Sequence, residues 1–371
     1  MKILQISSAR ALGGGERHLI DLANCLAARG HDVHFALSPR SPLAPYLQNI
    51  PKENIVSLPL RNALDAPSAL ELAHVISKRK IDIVHAHMAR DYPLAAYATR
   101  RNRSSRFIIT RHVLFPLSRL HAVTLSNVAR VIAVSDAVAR RLREQQIFPA
   151  AKVVTIHNGI DVDRLAANRV NFKAGEFRRQ LKLPVEGLLA GTVGEINPLK
   201  GQQDFVRAAS IIADRFPDLH FIIAGEDPSA NREHLAGLQK LIKDCGLENR
   251  VHRFGWLDDI GELYCALDLF VSTSHSESFG LAIAEAMACS TPVIASATEG
   301  AAEIIEDKVS GMLVPISDAT ATAQAMTDLL MNPDRRNQLA EAGSVRIRDR
   351  FSLDQMVGKT EQLYRDAVPA G

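Results

Sequence analysis

The chain alternates short apolar blocks with longer amphipathic stretches. In its first half the blocks are KILQIS, HDVHFAL, IDIVHAH, RFIIT and RVIAVS, and the amphipathic ERHLIDLANCLAARG follows a glycine turn after the first of them. The second half repeats the rhythm with LLAGTVG, LHFIIAG, RVHRFGW, LDLFVST, TPVIAS and GMLVP. Strands that alternate with helices in this way argue for βαβ units and a parallel sheet in each half. The pattern therefore predicts an α/β protein built from two Rossmann-like domains. Open parallel sheets bind ligands beyond the carboxyl ends of their strands, so chemistry is to be sought in the loops that follow these blocks.

The rhythm lapses between Val153 and Gly187, where Asn158-Gly159 is a turn dipeptide and Pro184 a further break. This stretch reads as the linker and divides the chain into an N-terminal domain, 1–168, and a C-terminal domain, 169–350. The last segment, 351–371, has a helical period with Ser352 as a candidate cap, and is expected to pack back toward the N-terminal domain. A length of 371 residues exceeds what one hydrophobic core usually sustains, which agrees with two domains.

Composition, with 47% hydrophobic and 23% charged residues, is that of an ordinary soluble protein. No uninterrupted apolar run nears the roughly 20 residues of a membrane span. The start, Met1 to Ile6, is too short for a secretory signal and reads as a first strand, so a cytoplasmic location is expected. Cys25, Cys245, Cys265 and Cys289 show no C-x-x-C spacing and read as reduced, structural thiols. Net charge is only +3, yet residues 1–170 carry +12 and residues 171–371 carry −9. A basic first half suits anionic lipid headgroups, phosphorylated acceptors or nucleic acid, while attraction between the halves or plain solvation of helix faces accounts for it equally well. Its clusters are RRNRSSRF, Arg100 to Phe107, and ARRLREQQ, Ala139 to Gln146. With 5% aromatic residues and no stacking platform beside these charges, nucleic acid is the disfavoured partner. Contact with the inner face of an anionic membrane stays open.

The segment SHSESFGLAIAEAMACSTPVIAS, Ser274 to Ser296, keeps two glutamates, Glu277 and Glu285, in an otherwise apolar run. After LDLFVST the chain turns and is expected to enter a helix near Phe279, which Thr291-Pro292 stops. The first amides of that helix, at Phe279, Gly280 and Leu281, lack intrahelical acceptors, and Gly280 lets a ligand approach the backbone. Such an end is an anion site suited to a diphosphate, with Ser278 beside it. Glu285 lies roughly 9 Å further along the axis, where a carboxylate can accept both hydroxyls of a ribose. Glu277, in the loop, would lie near whatever the other phosphate carries. The plain alternative is that Ser278 or Glu277 caps the helix and Glu285 lies on a solvated face.

Glu277 and Glu285, eight residues apart, with SFGL after the first and EAMA around the second, resemble the E-x7-E motif of retaining glycosyltransferase family 4, whose fold is GT-B. The likeness spans nearly the whole chain: GGGERHLIDLANCLAARGHDV, IDIVHAH, VIAVSDAVARRL, IHNGIDVDRL and VGEINPLKGQQDFVRAA each resemble family segments. The resemblance implies two domains facing across a cleft, an NDP-sugar held mostly by the second and an acceptor by the first. It implies transfer of a sugar to an acceptor hydroxyl with retention, in cell-envelope polysaccharide, lipopolysaccharide or glycolipid synthesis, on a glycan or lipid-linked acceptor.

By motif position Lys200, in PLKG, should contact the donor diphosphate and with the helix amides stabilise the leaving group in place of a metal, so no cofactor is expected. Glu195 departs from the family, which usually has arginine there; it would have to turn away, pair with Lys200 or hold a sugar hydroxyl, and Arg253 is a candidate substitute cation. Gly14 and Gly15 follow strand one without the G-x-G-x-x-G spacing, and similarity puts their backbone against donor phosphate or acceptor. His112, at the end of RFIIT and Arg111, matches a family histidine at the donor sugar; its ordinary pKa near neutrality would let it orient the acceptor hydroxyl or act as a base. Glu277 would position the sugar. His85 and His87 are period-two partners that lack a third ligand at a telling spacing, and Asp161 to Asp163 only mimics the metal-binding D-x-D of another glycosyltransferase fold; no metal is assigned to either. A UDP-sugar 2-epimerase or a non-catalytic sugar-nucleotide-binding protein are the alternatives, and a nicotinamide dehydrogenase is disfavoured by the missing fingerprint.

Overall fold

Every apolar block named above becomes a strand. The computed structural model describes residues 1–257 and 259–368. The chain divides into two units, Met1–Gly159 together with the C-terminal segment from Leu353, and Ile160–Ser352. In the first unit the strands are β1 (Lys2–Ser7), β2 (Asp32–Leu37), β3 (Ile55–Ser57), β4 (Ile83–Ala86), β5 (Arg106–Arg111), β6 (Val128–Ala133) and β7 (Val153–Thr155). They form one 7-stranded parallel sheet in the order β3-β2-β1-β4-β5-β6-β7. The second unit has β8 (Leu188–Val193), β9 (Leu219–Ala224), β10 (Val251–Phe254), β11 (Leu269–Ser272), β12 (Val293–Ser296) and β13 (Met312–Val314). These form a 6-stranded parallel sheet in the order β10-β9-β8-β11-β12-β13.

Helices cover both faces of each sheet, so central strands are buried throughout and read as apolar runs. In the first unit one face packs Leu4, Ile6, Val84 and Ile109, and the other packs Ile3, Phe35, Ile83 and Ile108. The edge strands β3 and β7, each 3 residues long, stand outside the blocks because so short a strand carries no pattern of its own. Each sheet reverses its strand order once, between β1 and β4 and between β8 and β11. At such a reversal successive connections leave in opposite directions and open a crevice at the carboxyl ends.

The unit boundary lies at Gly159/Ile160, nine residues before the 168 read from the sequence. The stretch read as linker holds two helices, Val162–Asn171 and Ala174–Gln180. Leu165 of the first is fully buried with Leu263, Tyr264 and Ala286 of the second unit, and this packing decides where the segment belongs. Asp161 caps that helix by accepting the Arg164 amide at 3.0 Å, so the D-x-D is a helix start. The C-terminal helix, Leu353–Ala367, returns to the first unit, where Met356, Val357, Leu363 and Tyr364 join Leu19 and Leu22 in one core. Glu361 pairs with Arg29 at 3.0 Å and His31 at 3.1 Å, which pins the helix laterally. Among the described residues no helix is long and apolar enough to cross a membrane, and none of the four cysteines forms a disulfide.

Candidate functional site

In the second unit the two loops at the strand-order reversal, after β8 and after β11, are bonded to each other. Asn197 turns the first of them by accepting the amides of Leu199 at 3.0 Å and Lys200 at 3.2 Å. This aims Lys200 across the reversal, where its Nζ donates to Glu277 Oε1 at 2.7 Å. Ser274 Oγ donates to the same oxygen at 2.8 Å. The backbones lock as well: His275 N–H donates to Leu199 O at 2.8 Å and Thr273 Oγ1 to Gly201 O at 2.7 Å. Sequence spacing alone does not bring Lys200 and Glu277 together. The sheet order does.

The helix that follows begins at Leu281, two residues later than the sequence reading, with Gly280 as its N-cap at φ +109°. Gly280 occupies the left-handed region, which the sequence reading treated as helical, and this delays the first turn. The open amides are thus those of Leu281, Ala282 and Ile283 rather than of Phe279 and Gly280. No side chain caps this end, so neither Ser278 nor Glu277 plays that part. Phe279 is buried and stacks edge-on against Phe351 at 5.7 Å, a packing role.

Glu285 is half-buried, and its Oε2 accepts from Tyr264 Oη at 3.0 Å. Tyr264 is fully buried in the helix Ile260–Ala266, and burial beside the Glu285 carboxylate pushes its phenol well above the usual range. The hydroxyl therefore stays a donor and orients the carboxylate. Glu195 is exposed and accepts from Asn197 Nδ2 at 3.2 Å instead of pairing with Lys200. Arg253 lies on the edge strand β10, separated from β8 by β9, so the sheet does not place it beside Lys200.

The first unit gathers polar residues at its own reversal. Gly14 and Gly15 form the first turn of the helix Gly14–Ala28, not a turn before it. A methyl group on Gly15 would sit 3.3 Å from His112 Cγ, so the glycine makes room for that ring. His112, after β5, bonds through Nε2 to His87 Nδ1 at 3.2 Å, and His87 Nε2 meets Gln5 Oε1 at 2.9 Å. His18, from the first helix, packs edge-on against His112 with centroids 4.9 Å apart. His85 stands apart from these bonds, with Tyr364 Oη at 2.6 Å and Thr110 Oγ1 at 2.7 Å. His18, Gln5 and Tyr364 escaped sequence analysis because nothing in their spacing marks them.

Burial changes the chemistry expected of His112. Desolvation, and then the neighbouring histidines, hold its pKa well below neutrality, as they do for His87. The ring is a neutral hydrogen-bonding group at physiological pH, not a base poised near 7. His18 is pushed down to about 4 by burial, with Asn158 pulling the other way. Since the unfolded chain protonates near 6.5, stability is fully present above that pH and falls as the pH drops toward 4. His18 alone should cost about 3 kcal/mol across this window. Calorimetry from pH 7 to 4 should show the first unit's transition falling steeply, and His18→Leu should flatten that slope.

Both units match family models. Residues 12–164 match Glycosyltransferase Family 4 and residues 173–346 match Glycosyl transferases group 1. A curated relative, N-acetyl-alpha-D-glucosaminyl L-malate synthase of Bacillus anthracis, is 25% identical over 96% of this chain and 95% of its own length. Among solved structures, a glycosyltransferase from Rickettsia africae superposes with a TM-score of 0.89 at 24% identity, covering 100% of this chain and 99% of that one. Anabaena HepE, solved in complex with UDP-glucose, gives 0.86 at 23% identity over 99% of this chain and 100% of its own. With both sheets, both family models and the full-length relatives in agreement, the chain belongs to glycosyltransferase family 4 and has the GT-B fold.

Proposed function

We propose that this glycosyltransferase takes its sugar from an NDP-sugar and passes it to an acceptor hydroxyl with retention of anomeric configuration. The observation that carries this reading is the Lys200–Glu277 bridge across the strand-order reversal, next to the uncapped start of the Leu281 helix. A diphosphate placed there meets a cation and the positive end of a helix together. Developing charge on the departing phosphate is stabilised by groups already in place. Lys200 then turns from Glu277 to phosphate, and Glu277 is released toward a sugar hydroxyl. Glu285, held by Tyr264, accepts from the ribose. His112 positions a hydroxyl as a neutral partner, while Gly14 and Gly15 leave room for the backbone to approach substrate.

No side-chain nucleophile is required if the leaving phosphate takes the acceptor proton in a front-face displacement, and the lysine and amides need no metal cofactor beside them. The binding of UDP-glucose by Anabaena HepE supports an NDP-sugar donor. A glycan or lipid-linked acceptor, in cell-envelope synthesis, is the remaining part of the proposal. Membrane contact through the basic first half has less support, because Arg100 and Arg143 donate to backbone carbonyls of their own unit.

A thermal-shift panel of NDP-sugars, then acceptor screening with the best donor, tests the reading. At a hundredfold excess over Kd the true donor should add about 2.7 kcal/mol to stability. Donor isomerisation without acceptor would establish the epimerase alternative; binding with no nucleotide diphosphate release from any acceptor would establish the non-catalytic one. Tyr264→Phe should weaken donor affinity about 5-fold by removing one hydrogen bond to Glu285, with little change in turnover at saturation. Equal affinity in the variant and the parent, by calorimetry, would remove Tyr264 from the site.

A further inference from the structure

We infer that His18, His87 and His112 form a binding site for a divalent transition metal of the zinc, cobalt and nickel class. One ligand nitrogen from each ring can be chosen so that all three lie within 4.8 Å of one another. Ligands on a tetrahedral zinc stand about 3.3 Å apart, given Zn–N bonds near 2.05 Å. The His87 Nδ1 to His112 Nε2 distance, 3.2 Å, already matches this spacing. The third nitrogen, within 4.8 Å of the other two, must close by at most about 1.5 Å to reach that spacing.

The polar partners around the rings prepare them as ligands. Gln5 Nε2 donates to Tyr364 Oη at 3.4 Å, which turns Gln5 Oε1 toward His87. An amide oxygen only accepts, so His87 carries its proton on Nε2 and presents a bare Nδ1 to the other two rings. Anchoring of the distal N–H by an acceptor is how proteins orient metal-binding histidines. His18 Nδ1 is enclosed and without a hydrogen-bond partner, a desolvation cost that a metal bond would offset. His112 Nδ1, likewise unpartnered, can take the proton that its Nε2 gives up. On binding, the proton of the His112 N–H shared with His87 moves to the other nitrogen of that ring or leaves to water, and no other bond is broken. Imidazole-only donor sets favour zinc, nickel and copper over magnesium or calcium.

The site shares His112 with the proposed substrate contact, so its test reads the metal alone. Tag-free full-length protein, freed of metal with a chelator, is titrated with Co2+. The visible absorption of tetrahedrally bound cobalt should grow to one equivalent, and Zn2+ should bleach it. His18→Ala and His87→Ala should each lower affinity on the order of 100-fold, and Gln5→Leu about 10-fold through loss of the anchor. His220→Ala should leave the titration unchanged, although His220 and His252 approach to 3.2 Å in the second unit. Circular dichroism identifies a variant that fails to fold, and two separate ligand variants keep the result decisive. Absence of cobalt absorption, or its survival in both His18→Ala and His87→Ala, would overturn the proposal whether or not the protein transfers sugar.

Discussion

Lys200→Ala is expected to cut turnover by about 100- to 1,000-fold while leaving the fold in place, the loss typical of removing one preorganised group that faces developing charge. The lysine is 30% exposed and its partner Glu277 13% exposed, so the pair sits at the rim of the second unit rather than in its core. Glu277 keeps the Ser274 hydroxyl when the lysine is gone, and the thermal transition should shift little. An arginine at the same position restores charge but not the reach of the Nζ, and should recover only part of the rate. The check is steady-state kinetics beside a melting curve for each variant. A rate close to the parent in Lys200→Ala would refer phosphate stabilisation to other groups and undo the proposed mechanism at its centre.

Gly201→Ala should cost more stability than any side-chain change nearby, and should lower the rate as well. Gly201 has φ +62°, and a Cβ built on it would stand 2.1 Å from Thr273 O, a backbone atom that cannot swing aside. Relief requires the loop after β8 to move away from the loop after β11. That movement breaks the Thr273 bond to Gly201 O and pulls Lys200 from Glu277. A loss of about 3 kcal/mol, with turnover down about 100-fold even where the protein remains folded, is the expected result. Gly246→Ala is the control. Its φ is +66°, yet nothing lies within 4 Å of the added methyl, so it should cost about 1 kcal/mol and leave the rate alone. Equal effects of the two substitutions, measured by denaturant unfolding, would mean that backbone strain alone is at work and not the loop junction.

Much of the architecture was legible in the chain itself. Buried parallel strands are apolar on both faces, so KILQIS, RFIIT and LDLFVST announce themselves without reference to neighbours, and their spacing announces the crossover helices. Glu277 and Glu285 also stood out, as carboxylates in an apolar run, whereas Lys200 was marked only by the motif resemblance. The boundary at Gly159 was not. Whether Val162–Asn171 belongs to one unit or the other depends on where Leu165 finds its contacts, a fact of packing that periodicity does not encode. The late helix start was hidden for a related reason: SFGL is compatible with helix, and only the backbone at Gly280 shows φ +109°.

Local residue pattern by itself determined the class of fold, the number of sheets and the loops where chemistry would lie, since these follow from short-range periodicity and turn residues. Tertiary structure alone decided which of those loops meet. Strand order in each sheet brings Lys200 to Glu277 across 77 positions, Tyr264 to Glu285 across 21, and His18 to His87 and His112 from three separate elements. It also decided the protonation of those histidines, because desolvation is set by what surrounds a ring in space rather than by its neighbours along the chain.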